Sequence, residues 1–357
     1  MRLSQKLAII DAANQEKQWE GSTFMRLHEL RYRLKEYVEP GIGWNGIGMV
    51  MSLALVATAF VMLCVMVRDV GIGRVVGAMV ATPTHSVLTA CGLVSIGYGT
   101  LTLYDYFALR AVGRRDVPYA TAGLAGFAAY GIGHVIGLTL ITGNAVRLRI
   151  YSRWGLGVVE VAKIAFITGL SFWLGNICTL GVVLAVAPDP AAAVTHLPVW
   201  VNRALGFAAL GAIATYMVWL LPRQRAVGVA EWRVVLPDAP LTLVQIGIGI
   251  VDLAAGSLAT YVLLPVVPPT DYTVVAVAYV IAALLSFLSH APGSLGVFEV
   301  AMLVMLSQYQ KEELLASLLI LHVLYYLLPL AVALLMLAVR ETKLTDLPML
   351  SRRTAFR

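Results

Sequence analysis

Charge is what this sequence of 357 residues has least of: charged side chains make up 13% of it and hydrophobic ones 59%. Soluble globular proteins carry about 25% charged residues, enough to keep a surface wet. With half that share, most of the chain must face lipid, which excludes a soluble enzyme, a nucleic-acid binder and a disordered scaffold together. Cysteine is scarce too. Cys64, Cys91 and Cys178 all sit inside apolar runs, so no disulfide framework is implied. The six histidines show no metal-ligand spacing and there is no Cys-x-x-Cys, so neither a metal nor a cofactor is expected. Gly-x-Ser-x-Gly, a Walker-type glycine loop and a spaced carboxylate pair in a polar context are also missing, and an enzyme is not expected. A polar stretch opens the chain, where a signal peptide would have a short apolar core.

Apolar runs fill what remains. Crossing a hydrocarbon core of ~30 Å takes about 20 residues. Runs near 44–67, 85–109, 118–142, 157–187, 199–221, 241–264, 273–290 and 314–339 meet or approach that length, and 297–309 falls short. Before them, residues 1–40 are polar with apolar positions at helical spacing, read either as interfacial helices or as a solvated helical arm. After them comes a basic tail, 341–357, so the body of the protein is 41–340.

The net charge of +6 asks which face of the membrane holds the Lys and Arg. Re-entrant helical hairpins answer it, with 118–156 entering and leaving from the cytoplasm and 273–310 from outside. Their helix-breaking tips are then Gly143-Asn144-Ala145 and Pro292-Gly293-Ser294, with Gly296 just beyond. Cytoplasmic segments (1–39, 110–115, 147–153, 223–233 and 340–357) then hold 21 basic residues and outer segments 3. Both termini are cytoplasmic in this scheme. Each half becomes two spans, a hairpin and a span, an odd number of crossings, so the halves form an inverted repeat. Asp105 and Asp252 are 147 residues apart, Gly143 and Gly293 are 150 apart, and so are Arg149 and Glu299.

The ionisable residues gather near the hairpins. Asp105, Lys163, Asp252 and Glu299 fall in or beside apolar runs, where a charge costs at least ~2.5–3.5 kcal/mol at the centre. Such residues pair or serve a pathway. Arg147, Arg149 and Arg153 follow the first tip and suit a phosphate, or are ordinary positive-inside anchors. Asp252 and Glu299 are expected to find partners, with Arg147 or Arg149 the foremost candidates. Tyr151 and Trp154 fit an interfacial position. His134, His290 and His322 are either relay groups or hydrogen-bonded buried imidazoles. Pro329 predicts a kink in the last span.

YDYFALRAVGRRDVPY (104–119), GNAVRLRIYSRWGL (143–156), the Asp252 helix ending LLP (263–265) and LSHAPGSLGVFE (288–299) occur in that order. Together they resemble the membrane flippase region of the bacterial lysylphosphatidylglycerol synthetase/flippase family, or multiple peptide resistance factor, across roughly 45–340. The resemblance implies an all-α polytopic lipid translocase of the bacterial inner membrane, with Asp105, Arg147, Arg149, Asp252 and Glu299 around its cavity. Asn144 and Ser294 depart from expected glycines, and His134 from a frequent asparagine. No aminoacyltransferase domain follows residue 340, so a stand-alone relative is expected.

A flippase or scramblase for phosphatidylglycerol, an aminoacylated form or another phospholipid is the leading expectation. Its partners are the phospholipid and the membrane, with a lipid-modifying synthase and further copies of the chain as additional candidates, and no nucleic acid. The rival classes are a membrane enzyme acting on a lipid headgroup or polyprenyl phosphate, and a non-catalytic subunit of a lipid-modifying synthase.

Overall fold

The computed structural model describes residues 72–136, 139–221, 225–229, 232–289 and 292–345, with the side chains of 139, 140, 292 and 341–345 outside that description. The chain divides into two units, Met1–Ala54 and Leu55–Arg357, and every described residue belongs to the second. The expected interfacial helices of 1–40, the span at 44–67 and the end of the basic tail lie outside the described residues.

Among the described residues the architecture is all-α apart from one two-stranded antiparallel ribbon, β1 (Ala226–Val227) with β2 (Val234–Val235). A short α1 (Ile72–Ala81) leads to α2 (Thr84–Ala111), then α3 (Tyr119–Ile136), α4 (Thr139–Tyr151) and α5 (Val158–Val186). After α6 (Pro188–Thr195) and α7 (Val199–Leu220), the ribbon precedes α8 (Ala239–Leu263), α9 (Tyr272–Ser289), α10 (Val297–Met305) and α11 (Lys311–His322). A π-helical stretch, Val323–Leu327, joins α11 to α12 (Leu328–Thr345). Among the described residues, six helical segments are long and apolar enough to cross a membrane: α2, α5, α7, α8, α9 and the continuous run Lys311–Arg340. This is a polytopic membrane protein.

Small residues set the packing, because helices in lipid associate by close backbone approach rather than by expelling water. Along α3, Ala122, Gly123, Ala125, Gly126, Ala128, Ala129, Gly131 and Gly133 are all buried. A Cβ on Gly126 would stand 3.0 Å from the carbonyl oxygen of Leu101, so α3 lies directly on the α2 backbone. The α5–α8 crossing is as tight: a Cβ on Gly175 would stand 2.7 Å from Cα of Gly249. By contrast α7 buries little of itself, and Trp200, Phe207, Val218 and Trp219 are exposed apolar groups suited to lipid.

Helix contacts in the first half recur in the second. α2 packs on α3, α3 on α4 and α4 on α5, while α8 packs on α9, α9 on α10 and α10 on α11. Across the halves, α3 meets α12 as α9 meets α5, and α2 and α8 form the most extensive pair.

The tip expected at Gly143-Asn144-Ala145 is not a break. α4 runs through all three residues, and residues 137–138, between α3 and α4, lie outside the described residues. Gly143 serves packing: a Cβ there would stand 3.1 Å from the Ala129 carbonyl oxygen of α3. The second break falls where the sequence puts it. Pro292–Ser294 forms a 3-10 turn in which Gly293 (φ 62°) and Ser294 (φ 57°) are left-handed, and Gly296 follows at φ 84°. At 13 and 9 residues, α4 and α10 extend about 20 and 14 Å, short of a hydrocarbon core of about 30 Å.

Pro329 shows in the helix as the preceding π-helical stretch. Lacking an N–H, it leaves the Tyr325 carbonyl without its ordinary helical donor. Tyr98 of α2 donates its hydroxyl to that oxygen at 2.9 Å, converting a helix defect into a tie between the halves.

Candidate functional site

Two buried charge clusters lie one in each half. In the first, Asp105 near the end of α2 and Arg147 of α4 are both buried, at 0% and 3% exposure. The pair is closed in fork geometry: Arg147 Nη2 donates to Asp105 Oδ1 at 2.7 Å, and Nε donates to Oδ2 at 2.9 Å. Tyr151 donates its hydroxyl to the same Oδ2 at 2.8 Å, and Arg147 Nη1 reaches Asn144 Oδ1 at 3.4 Å. The guanidinium stands over the Tyr130 ring, 5.1 Å from its centroid. Asn144, Arg147 and Tyr151 are three and four residues apart, hence on one face of α4. That face is closed against α2 and α3 by their glycines and alanines.

This overturns two expectations. Arg147 pairs with Asp105 of its own half, not with Asp252 or Glu299, because α4 packs beside α2 and α3 and spends its fork there. Tyr151 is fully buried and bonded, not interfacial. Arg149 and Arg153, on the other side of α4 and in the turn after it, are exposed. Lys163 is half-buried at the start of α5, one turn beyond Glu160, which caps that helix through the Gly157 amide at 2.9 Å. Nearby, Arg114 holds Asp116 by two hydrogen bonds and also donates to the Trp154 carbonyl, fastening the turn after α2 to the turn after α4. The hydrogen bond from Arg114 keeps the Asp116 carboxyl below the usual carboxylate range.

In the second half, Glu299 is fully buried in the first turn of α10. Its Oε2 accepts from the Gly296 amide at 2.7 Å, a cap the glycine makes accessible by turning left-handed. Its Oε1 stands 2.7 Å from His322 Nδ1, outside hydrogen-bond alignment. The other ring nitrogen of His322, Nε2, lies 2.7 Å from the Gly293 carbonyl oxygen. One imidazole at the end of α11 thus touches both sides of the turn 293–299. It stacks on Tyr326, with centroids 4.4 Å apart and planes 13° apart.

Between the clusters runs a row of rings. Tyr130 neighbours His134 at 5.5 Å, and His134 neighbours Tyr326 at 6.2 Å, itself stacked on His322. Asp252, in the middle of α8, belongs to neither cluster: it is 6% exposed and its Oδ1 has no hydrogen-bond partner among the described residues. Sequence reasoning left the roles of Asn144 and Tyr151 around Arg147 unread. Their shared helical face was the available signal. Nothing in the sequence pointed to Tyr130, since tyrosine in an apolar helix carries no spacing of its own.

The geometry contains paired charges buried in a bundle of membrane-length helices, a pattern that comparison with known proteins sets in context. The chain is 32% identical to an uncharacterized protein of Synechocystis, slr0712, over 71% of its own length and 78% of that protein's. The chain belongs to the slr0712 family. It is also 26% identical to the inner membrane protein YbhN of Escherichia coli, over 72% of this chain and 81% of YbhN. No family model matches it.

Proposed function

We propose that this chain is a phospholipid translocase, a flippase or scramblase, of a bacterial inner membrane. The observation that carries the proposal is a pair of packed helix pairs, α3–α4 and α9–α10, each with a second arm too short to span lipid and each held by a buried carboxylate. Backbone that breaks at membrane depth is tolerated where it is buried in protein or lines a wet cavity. The recurrence of helix contacts between the halves supports an inverted repeat, with the hairpins approaching from opposite faces. The four ordered motifs support the resemblance to the lysylphosphatidylglycerol flippase region. An inner-membrane location draws support from YbhN, which is named an inner membrane protein, and from the six apolar segments.

On this reading the hairpins bound a groove open to lipid from the side. The headgroup travels in the groove while the acyl tails stay in the bilayer, so only the polar part needs compensation for its desolvation. Arg149 and Arg153, exposed at the end of α4, meet the phosphate by charge-assisted hydrogen bonds. Arg147 acts one step behind them, holding α4 to Asp105. Phosphatidylglycerol, or an aminoacylated form of it, is the cargo class.

Reconstitution into liposomes containing fluorescent phosphatidylglycerol, with the lipids extracted and analysed afterwards, tests the proposal. Chemically unchanged lipid that becomes accessible from the opposite leaflet is the expected result. Altered lipid would replace the proposal with a membrane enzyme. Neither movement nor alteration would leave a binding subunit of a lipid-modifying synthase.

A further inference from the structure

One stretch of the α2–α8 interface combines a charge without a counter-charge and a second polar oxygen without a partner. Asp252 lies 13 residues from the start of α8 and 11 from its end, about 20 and 17 Å along the axis, near the middle of a membrane-length helix. Its Oδ1 has no hydrogen-bond partner among the described residues, nor is Asp252 in an ion pair among them. Arg147 is committed to Asp105, and His322 touches Glu299. Tyr104 of α2, 1% exposed, also leaves its hydroxyl without a partner.

Two glycines face these oxygens. A Cβ on Gly97 of α2 would stand 3.3 Å from Asp252 Oδ1, and a Cβ on Gly249 of α8 would stand 3.0 Å from Tyr104 Oη. Each oxygen therefore points at a notch in the opposing helix, one turn apart on the same face of α8. Gln245 continues that face, one turn beyond Gly249, and both polar atoms of its buried amide are unpartnered as well. The other titratable groups in electrostatic reach of Asp252 are tyrosine hydroxyls: Tyr98 from α2, Tyr279 from α9 and Tyr325 from the π-helical stretch.

An unpaired buried carboxylate at membrane depth costs several kcal/mol unless a positive charge meets it. A carboxylate with an unpartnered hydroxyl oxygen nearby, water completing the shell, offers the oxygen donors that a hard cation takes. We propose that Asp252 and Tyr104 form a binding site for a small monovalent metal cation, Na+ in the first instance, with Gln245 lining its approach through the cation's remaining water. The site goes beyond the translocase reading and does not depend on it, since cation binding is measurable without lipid movement.

The test is thermal unfolding of the purified protein in detergent, with NaCl exchanged for KCl or choline chloride at constant ionic strength and pH. The wild type should unfold at a higher temperature as Na+ rises, and choline should give no shift. Asp252→Asn should weaken the apparent Na+ affinity by about tenfold or more, because the charged ligand is gone. Tyr104→Phe, which keeps the packed ring and removes one oxygen, should weaken it by a smaller factor. A wild type indifferent to Na+ at every concentration overturns the proposal, as does an Asp252→Asn protein with the same Na+ response. So does an infrared carbonyl band of a protonated carboxyl that disappears in Asp252→Asn and ignores Na+, for then a proton holds the site. Should Asp252→Asn fail to fold, the Tyr104→Phe comparison decides alone: an unchanged Na+ response in that variant overturns the site.

Discussion

Arg147 shows how a residue type can suggest one job while its neighbours assign another. An arginine near the end of an apolar run reads as a headgroup contact, yet its fork is closed on Asp105 with Tyr151 sharing the same carboxylate. Removing one partner of a buried pair strands the other, at a cost of about 3–5 kcal/mol. Asp105→Asn and Arg147→Gln should each lower the unfolding midpoint in detergent substantially, and Asp105→Leu combined with Arg147→Leu should recover part of the loss. A double variant as unstable as the sum of the singles would mean the two side chains do not act as a pair. His322 belongs to the same scale: its two ring nitrogens touch Glu299 and the Gly293 carbonyl oxygen. His322→Phe keeps the stacked ring against Tyr326 but removes both polar contacts. Amide hydrogen exchange across 293–299 should accelerate in that variant while α2 and α5 stay protected.

Elements were legible wherever a single physical rule dominates. Long apolar runs become α2, α5, α7 and α8 almost to the expected ends, because lipid leaves backbone polar groups no partner except their own helix. Pro292-Gly293-Ser294 was legible as a break because proline lacks a donor and the turn needs left-handed residues. Gly143-Asn144 was misleading because glycine inside a membrane helix as often marks close packing as a turn, and the sequence does not say which backbone lies opposite. Gly175 is the sharper case of packing. A Cβ there would meet Cα of Gly249 at 2.7 Å, so Gly175→Ala must part α5 from α8, at about 1–3 kcal/mol for overpacking. The same substitution at Gly169, which has nothing within 4 Å, should be neutral in the same unfolding assay. At the turn after α2, the depressed Asp116 carboxyl fixes the sign of a pH effect. Its tie to Arg114 is present above the ordinary carboxylate range and is lost as pH falls through and below it. Hydrogen exchange at 113–117, corrected for intrinsic rates, should lose protection in acid and keep it toward neutral pH.

At the scale of the whole molecule, the proposed translocase would draw on two helix pairs, α3–α4 and α9–α10, each tied at a buried carboxylate, within a bundle of membrane-length helices. The pairing of charges within each half, Asp105 with Arg147 and Glu299 with His322, was hidden from the sequence, since partners 42 and 23 residues apart are set by packing rather than by spacing. Their consequence is mechanical: each helix pair is tied at a buried point, and in the proposed translocase the exposed Arg149 and Arg153 are the groups that would meet a headgroup. The rate of phosphatidylglycerol movement in proteoliposomes, compared between wild type and an Arg149→Ala, Arg153→Ala double variant, tests this most directly. A charge-assisted contact contributes roughly 1.5–3 kcal/mol, so the double variant should slow movement about tenfold or more while unfolding at an unchanged temperature. Arg203→Ala, an exposed arginine on α7, controls for basicity and should change little. Equal small losses in both variants, or a wild type that moves lipid no faster than protein-free vesicles, would contradict the account.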